Sequence, residues 1–150
     1  MMAYMLMAGL ALGAAGATLG MTVDHHTQLD HHSGRIAVTY RGDVAIHHKQ
    51  VGTATDGGRS STLRCDWSAK MTVARHAIGT SGASMTRHIA DTPAIAGTRP
   101  GWCTTNRSAI SEEVASRAGD MRRHLVTVAE EDHAALRAEL DRLHGAERTG

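Results

Sequence analysis

The stretch Asp24-His25-His26-Thr27-Gln28-Leu29-Asp30-His31-His32 sets the tripeptide Asp-His-His down twice at a spacing of six. It offers the imidazoles of His25, His26, His31 and His32 and the carboxylates of Asp24 and Asp30, the ligand types of Zn, Ni or Cu(II). A selective site also needs fixed ring orientations, and a short polar segment ahead of the first regular element does not supply them. Two readings follow. The segment is a flexible polar leader over residues 21–33, or it is a weak, unselective chelator of a divalent metal that is separable from the fold.

Other groups invite chemistry less directly. Gly79-Thr80-Ser81-Gly82-Ala83 is one residue short of the esterase elbow G-x-S-x-G. That mechanism needs a strand-to-helix turn to present Ser81, with a carboxylate and a histidine later in the chain, and the residues after Ala83 look extended. No catalytic residue is assigned. Trp67 follows Cys65 by two positions and Trp102 precedes Cys103, so a bond between the cysteines would gather both indoles as core packing or as walls of a ligand pocket. His47 should point to the polar side of a strand and His48 to the apolar side. With His76 and His88 they form the reserve set of metal ligands. Asp132 interrupts an apolar stripe between Val128 and Leu136, and a buried carboxylate requires a partner, for which Arg75 and Arg87 are the candidates.

The chain around these groups has 150 residues, with 16 Lys and Arg against 15 Asp and Glu. That balance gives no field able to hold nucleic acid or an anionic membrane. With no Phe, two Trp and two Tyr, the core must be built from Ile, Val, Leu, Met and Ala. Residues 1–23 carry no charged side chain and include Ala15-Gly16-Ala17, so residues 1–20 read as a secretory signal peptide cleaved between Thr18 and Val23. The n-region lacks Lys or Arg, and the alternative is an uncleaved membrane anchor, the only route to a membrane. Export favours a disulfide between Cys65 and Cys103, worth roughly 3 to 4 kcal/mol for a loop of about 38 residues.

Periodicity places the elements. Ile36, Val38 and Tyr40, then Val44 and Ile46 beyond Arg41-Gly42-Asp43, predict a β-hairpin with its turn at Arg-Gly-Asp. Residues 55–61 form a loop. Leu63, Cys65, Trp67, Ala69, Met71 and Val73 alternate with polar residues as a long antiparallel strand, and a further strand spans 83–89. Pro93, Gly97, Pro100 and Gly101 argue against a regular element over 91–107. From Ser108 the period is helical, as one helix of about 35 residues or as two joined by a kink near Gly119, with Ser108 or Ser111 as cap and an end at Gly145.

The expected fold is α+β: three or four antiparallel strands with a long C-terminal amphipathic helix packed on one face, forming a single domain over 34–150. The first functional reading is a small exported protein, periplasmic, that binds a ligand or partner without catalysis and without a cofactor, offering the helix as its interaction surface. The second is an envelope metal-binding protein using the His-rich leader, and an enzyme of unknown type is third.

Overall fold

Alternation of inward apolar and outward polar side chains favours long strands, and the described residues form four. The computed structural model describes residues 18–55 and 61–148. It contains β1 (Thr18–His31), β2 (Gly34–Val51), β3 (Arg64–Ile78) and β4 (Ser84–Pro100), followed by α1 (Cys103–Ser116) and α2 (Ala118–Arg148). The strands form one antiparallel sheet in the order β1-β2-β3-β4. The fold is α+β, with a long C-terminal helix, as expected.

The core lies between the inner face of the sheet and the helices. Val38, Tyr40, Val44 and Ile46 of β2 and Cys65, Trp67, Met71 and Val73 of β3 meet Ile110 and Val114 of α1 and Met121, Leu125, Leu136 and Leu140 of α2. The apolar stripe of α2 is thereby used by the sheet. Among the described residues, no helix is long and apolar enough to cross a membrane.

Several expectations need correction. The supposed flexible leader over 21–33 is, up to His31, strand β1, paired with β2 from Thr18↔Ile46 to His31↔Gly34. Val23 and Leu29 are buried, so residues 24–32 are not separable from the fold. Period two was hidden because His25, Thr27 and His31 occupy inward positions beside those two apolar residues. The expected signal peptide lies outside the described residues over 1–17, while 18–20 open β1.

Arg41-Gly42-Asp43 makes no turn. The alternation from Ile36 to Ile46 never changes phase, and β2 runs straight through. A Cβ on Gly42 would stand 2.7 Å from Met71 Sδ and 3.2 Å from Val23 Cγ2, so the glycine lets neighbouring side chains close over β2. Arg41 and Asp43 point outward, where Arg41 Nε donates to Asp24 at 3.0 Å and Asp43 accepts from Thr22 at 2.8 Å.

The breaker-rich stretch after Asp91 is also regular. β4 continues to Pro100 because it is an edge strand, where a residue without an N–H costs no ladder bond. Register shifts opposite Ala69/Lys70 and Val73/Ala74 absorb the extra residues Ala94 and Ile89. α1 then starts at Cys103, five residues before Ser108, with no capping side chain from Trp102. Its cap comes from β2 instead: Gln50 Oε1 accepts from the Cys103 N–H at 2.8 Å while Gln50 Nε2 donates to the carbonyls of Arg64 and Gly101. Cys65 and Cys103 are at bonding distance, their sulfurs 2.11 Å apart. The helix breaks at Arg117, near Gly119 as expected, while α2 passes Gly145 to reach Arg148. Asp120 stands in the first turn of α2, where its ion pair with Arg117 holds its carboxyl below the usual range.

Asp132 finds the partner it required. Arg75, 1% exposed, donates from Nη1 to both Asp132 oxygens and from Nη2 to Glu139, which Arg87 also contacts from the rim. Tyr40 Oη donates to Asp132 Oδ2 at 2.9 Å. Burial, with Asp132 adding to it, pushes the Tyr40 phenol well above its ordinary value.

Candidate metal centre

The two-residue turn His32-Ser33 joins β1 to β2, with Gly34 at φ +126° where a side chain would be strained. His31, the last residue of β1, points inward and its side chain is 4% exposed. Its Nδ1 lies 2.7 Å from Ser33 Oγ and its Nε2 lies 2.8 Å from Asp141 Oδ1 on α2. His32, on the turn, places Nδ1 3.8 Å from the same Asp141 oxygen, and its ring centroid is 3.9 Å from that of His31. Arg137, one helical turn before Asp141, donates from Nη1 to the Asp30 carbonyl at 3.1 Å and fixes α2 against β1 beside the cluster. The hydrogen bond from His31 is the main cause holding the Asp141 carboxyl below the usual carboxylate range.

His31, His32 and Asp141 each offer one ligand atom, and these atoms lie within 4.8 Å of one another. Tetrahedral zinc with bonds of about 2.0–2.1 Å separates neighbouring ligand atoms by about 3.3 Å, so small side-chain rotations suffice. His31 Nδ1 accepts from the Ser33 backbone N–H at 3.2 Å, which puts the ring proton on Nε2 toward Asp141; a metal on Nε2 would displace that proton to Nδ1, where the Ser33 hydroxyl would accept it. His32 and Asp141 are about half exposed or more, which leaves the site open to solvent. His144, three residues past Asp141, brings its ring centroid to 5.7 Å from His31 and 6.1 Å from His32.

The four histidines singled out in the sequence therefore separate. His31 and His32 join the cluster. His25 faces inward beside Tyr40, with ring centroids 6.3 Å apart, and His26 faces outward to Thr39 Oγ1 at 3.0 Å. Five or more residues at about 3.3 Å each put them well up the strand from the turn. The reserve set does not converge either: His47 and His48 sit opposite Ser68 and Trp67, His76 bonds Thr86 Oγ1 at 2.6 Å, and His88 pairs with Asp91 at 3.2 Å. Asp141 and His144 were missed, because a pairing across 110 residues has no local signature. The available hint was their i,i+3 spacing at the end of the helix.

The other candidates resolve plainly. Gly79-Thr80-Ser81-Gly82-Ala83 is the β3–β4 turn, closed by Gly79 N–H to the Ala83 carbonyl at 3.0 Å, and it returns a strand and not a helix. Trp67 is buried in the core while Trp102 is 53% exposed before α1, so the two do not wall one pocket. Compared with protein families, curated proteins and solved structures, the chain matches none of them.

Proposed function

We propose that this chain is a small exported binding protein whose binding centre takes divalent zinc through His31, His32 and Asp141. The observation that carries this reading is the convergence of three ligand atoms within 4.8 Å, contributed by a strand end, a turn and a distant helix. Support comes from the burial of His31, which restricts the orientation of one ligand ring. Two imidazoles and a carboxylate suit Zn in preference to Mg or Ca, which take all-oxygen sets. The Cys65–Cys103 pair suits an oxidising compartment, and with the apolar N-terminal sequence it favours the bacterial periplasm. The buried stripe of α2 moves the binding face from the helix flank to its C-terminal end.

Calorimetric titration of the chelator-stripped protein with zinc tests the proposal. One equivalent should bind, His31→Gln should abolish the heat, and the His25→Gln/His26→Gln double variant should keep it. Unchanged zinc binding in a His31→Gln/Asp141→Asn double variant overturns the assignment.

A further inference from the structure

The two edges of the sheet differ. β4 carries Pro93 and Pro100 and shifts register twice against β3, features that spoil an edge for a further ladder. β1 has no proline, and from Met21 to His31 its register with β2 is unbroken. His31 and Gly34 flank a two-residue turn and so exchange both of their backbone hydrogen bonds. Counting back by alternation, Thr22, Asp24, His26, Gln28 and Asp30 direct N–H and C=O away from β2. Arg137 takes the Asp30 carbonyl. Among the described residues nothing bonds the outward backbone groups of the other four, and their side chains are exposed on the outer face.

We propose that this edge pairs antiparallel with the β1 edge of a second copy of the chain, about a two-fold axis at His25. In that register Asp24 stands opposite the partner's His26 and Thr22 opposite the partner's Gln28, each twice by symmetry, so that open backbone groups meet open backbone groups throughout. The side chains fit this pairing. His26 holds Thr39 Oγ1 through Nδ1, and when that hydroxyl donates, the ring proton lies on Nε2, where the partner's Asp24 accepts it. Asp24 already accepts from Arg41, so Arg41, Asp24, the partner's His26 and the partner's Thr39 form one row across the joint. Neighbouring registers do worse. A shift of two residues in either sense sets Asp24 or His26 against its own copy, one of four sets Asp24 against Asp30, and the register that sets His26 against Asp30 needs the carbonyl that Arg137 holds. A shift of one residue sets inward side chains against outward ones. Because the β4 edge is spoiled, addition stops at a closed dimer whose sheet takes four strands from each copy.

Sedimentation equilibrium on the full, disulfide-intact chain tests this, with chelator present so that no metal bridges copies. A monomer–dimer equilibrium with no larger species is expected. His26→Pro deletes an N–H that points away from β2, so the dimer dissociation constant should rise at least about tenfold while the monomer keeps its circular dichroism. His26→Asp, which leaves the backbone intact, sets a carboxylate against the partner's Asp24 at both positions and should also weaken the dimer at least about tenfold. The exchange Asp24→His/His26→Asp restores unlike partners and should recover the dimer. A chain that stays monomeric to about 1 mM, growth beyond a dimer, a dimer that ignores both His26 variants, or an exchange no better than His26→Asp alone overturns the proposal.

Discussion

Arg75 and Asp132, 57 residues apart in sequence, form an ion pair in the interior in which Arg75 Nη1 donates to Asp132 Oδ1 at 2.9 Å and to Oδ2 at 2.7 Å. The pair joins the centre of the sheet to the middle of α2; Tyr40 also donates to Asp132 and Glu139 also accepts from Arg75, while the buried Arg75 Nε has no hydrogen-bond partner.

Removing Asp132 takes one of two carboxylates from the buried Arg75 and leaves Glu139 alone to face its charge. We expect Asp132→Ala to cost about 3 to 5 kcal/mol, because Arg75 and the Tyr40 hydroxyl lose their acceptor together. Urea denaturation at neutral pH measures it, and a loss under about 1 kcal/mol rejects the claim that the pair is essential once formed.

Trp67 sits against Gly97 on the neighbouring edge strand. A Cβ there would meet the indole at 2.8 Å, and a buried ring cannot swing away as a flexible chain end can. Gly97→Ala should destabilise by about 1 to 3 kcal/mol and shift the fluorescence of Trp67. An alanine variant as stable as the parent would show that the strand yields at no cost.

Leu29 tests whether β1 belongs to the core. At 3% exposure its truncation to Ala should cost about 2 to 5 kcal/mol, whereas Gln28→Ala on the outer face should cost little. Equal stabilities of the two variants would return the segment to the status of a leader.

Joining Cys65 to Cys103 closes a separation of 38 residues. Replacing both with Ser should lower stability by roughly 3 to 4 kcal/mol in the chain-entropy picture. Denaturation of oxidised and Ser/Ser forms compares them, and thiol titration of the unreduced protein should find no free sulfhydryl.

His48 carries a buried Nε2 with no hydrogen-bond partner, and burial lowers its pKa below 6.5. The unfolded chain therefore binds this proton more readily than the folded one. The stability His48 contributes is complete above about pH 6.5 and declines as pH falls toward the folded value. In metal-free protein, His48→Leu should flatten the fall in stability between pH 7 and pH 5, and a steeper fall in the variant would contradict the sign.

Much of this architecture was legible in the sequence. The alternation through Leu63 to Val73 and the helical spacing from Ile110 to Leu140 each carry enough apolar residues to fix a period and a buried face. β1 was illegible because only Val23 and Leu29 mark its inner side among histidines and threonine. β4 was obscured because Pro93 signals a break in the interior of a sheet and is harmless at an edge. The metal centre was half legible: His31 and His32 stand out by composition, but choosing them over His25 and His26 requires knowing where the strand ends. Asp141 enters only through tertiary packing of α2 on β1.

The neighbour-to-neighbour order of the strands also governs how the chain reaches this state. Each pairing begins at its own connection, the tightest being the turns at His32-Ser33 and 79–83, so a meander can zip outward without first closing a long loop. The helices have no such start. α1 buries only Ile110 and Val114, and those side chains have nothing to cover until β3 is in place. We therefore expect a transition state with the β1–β2 and β3–β4 hairpins formed and the helices late, so that conservative changes at Leu29 and Ile36 slow folding while changes at Ile110 chiefly speed unfolding.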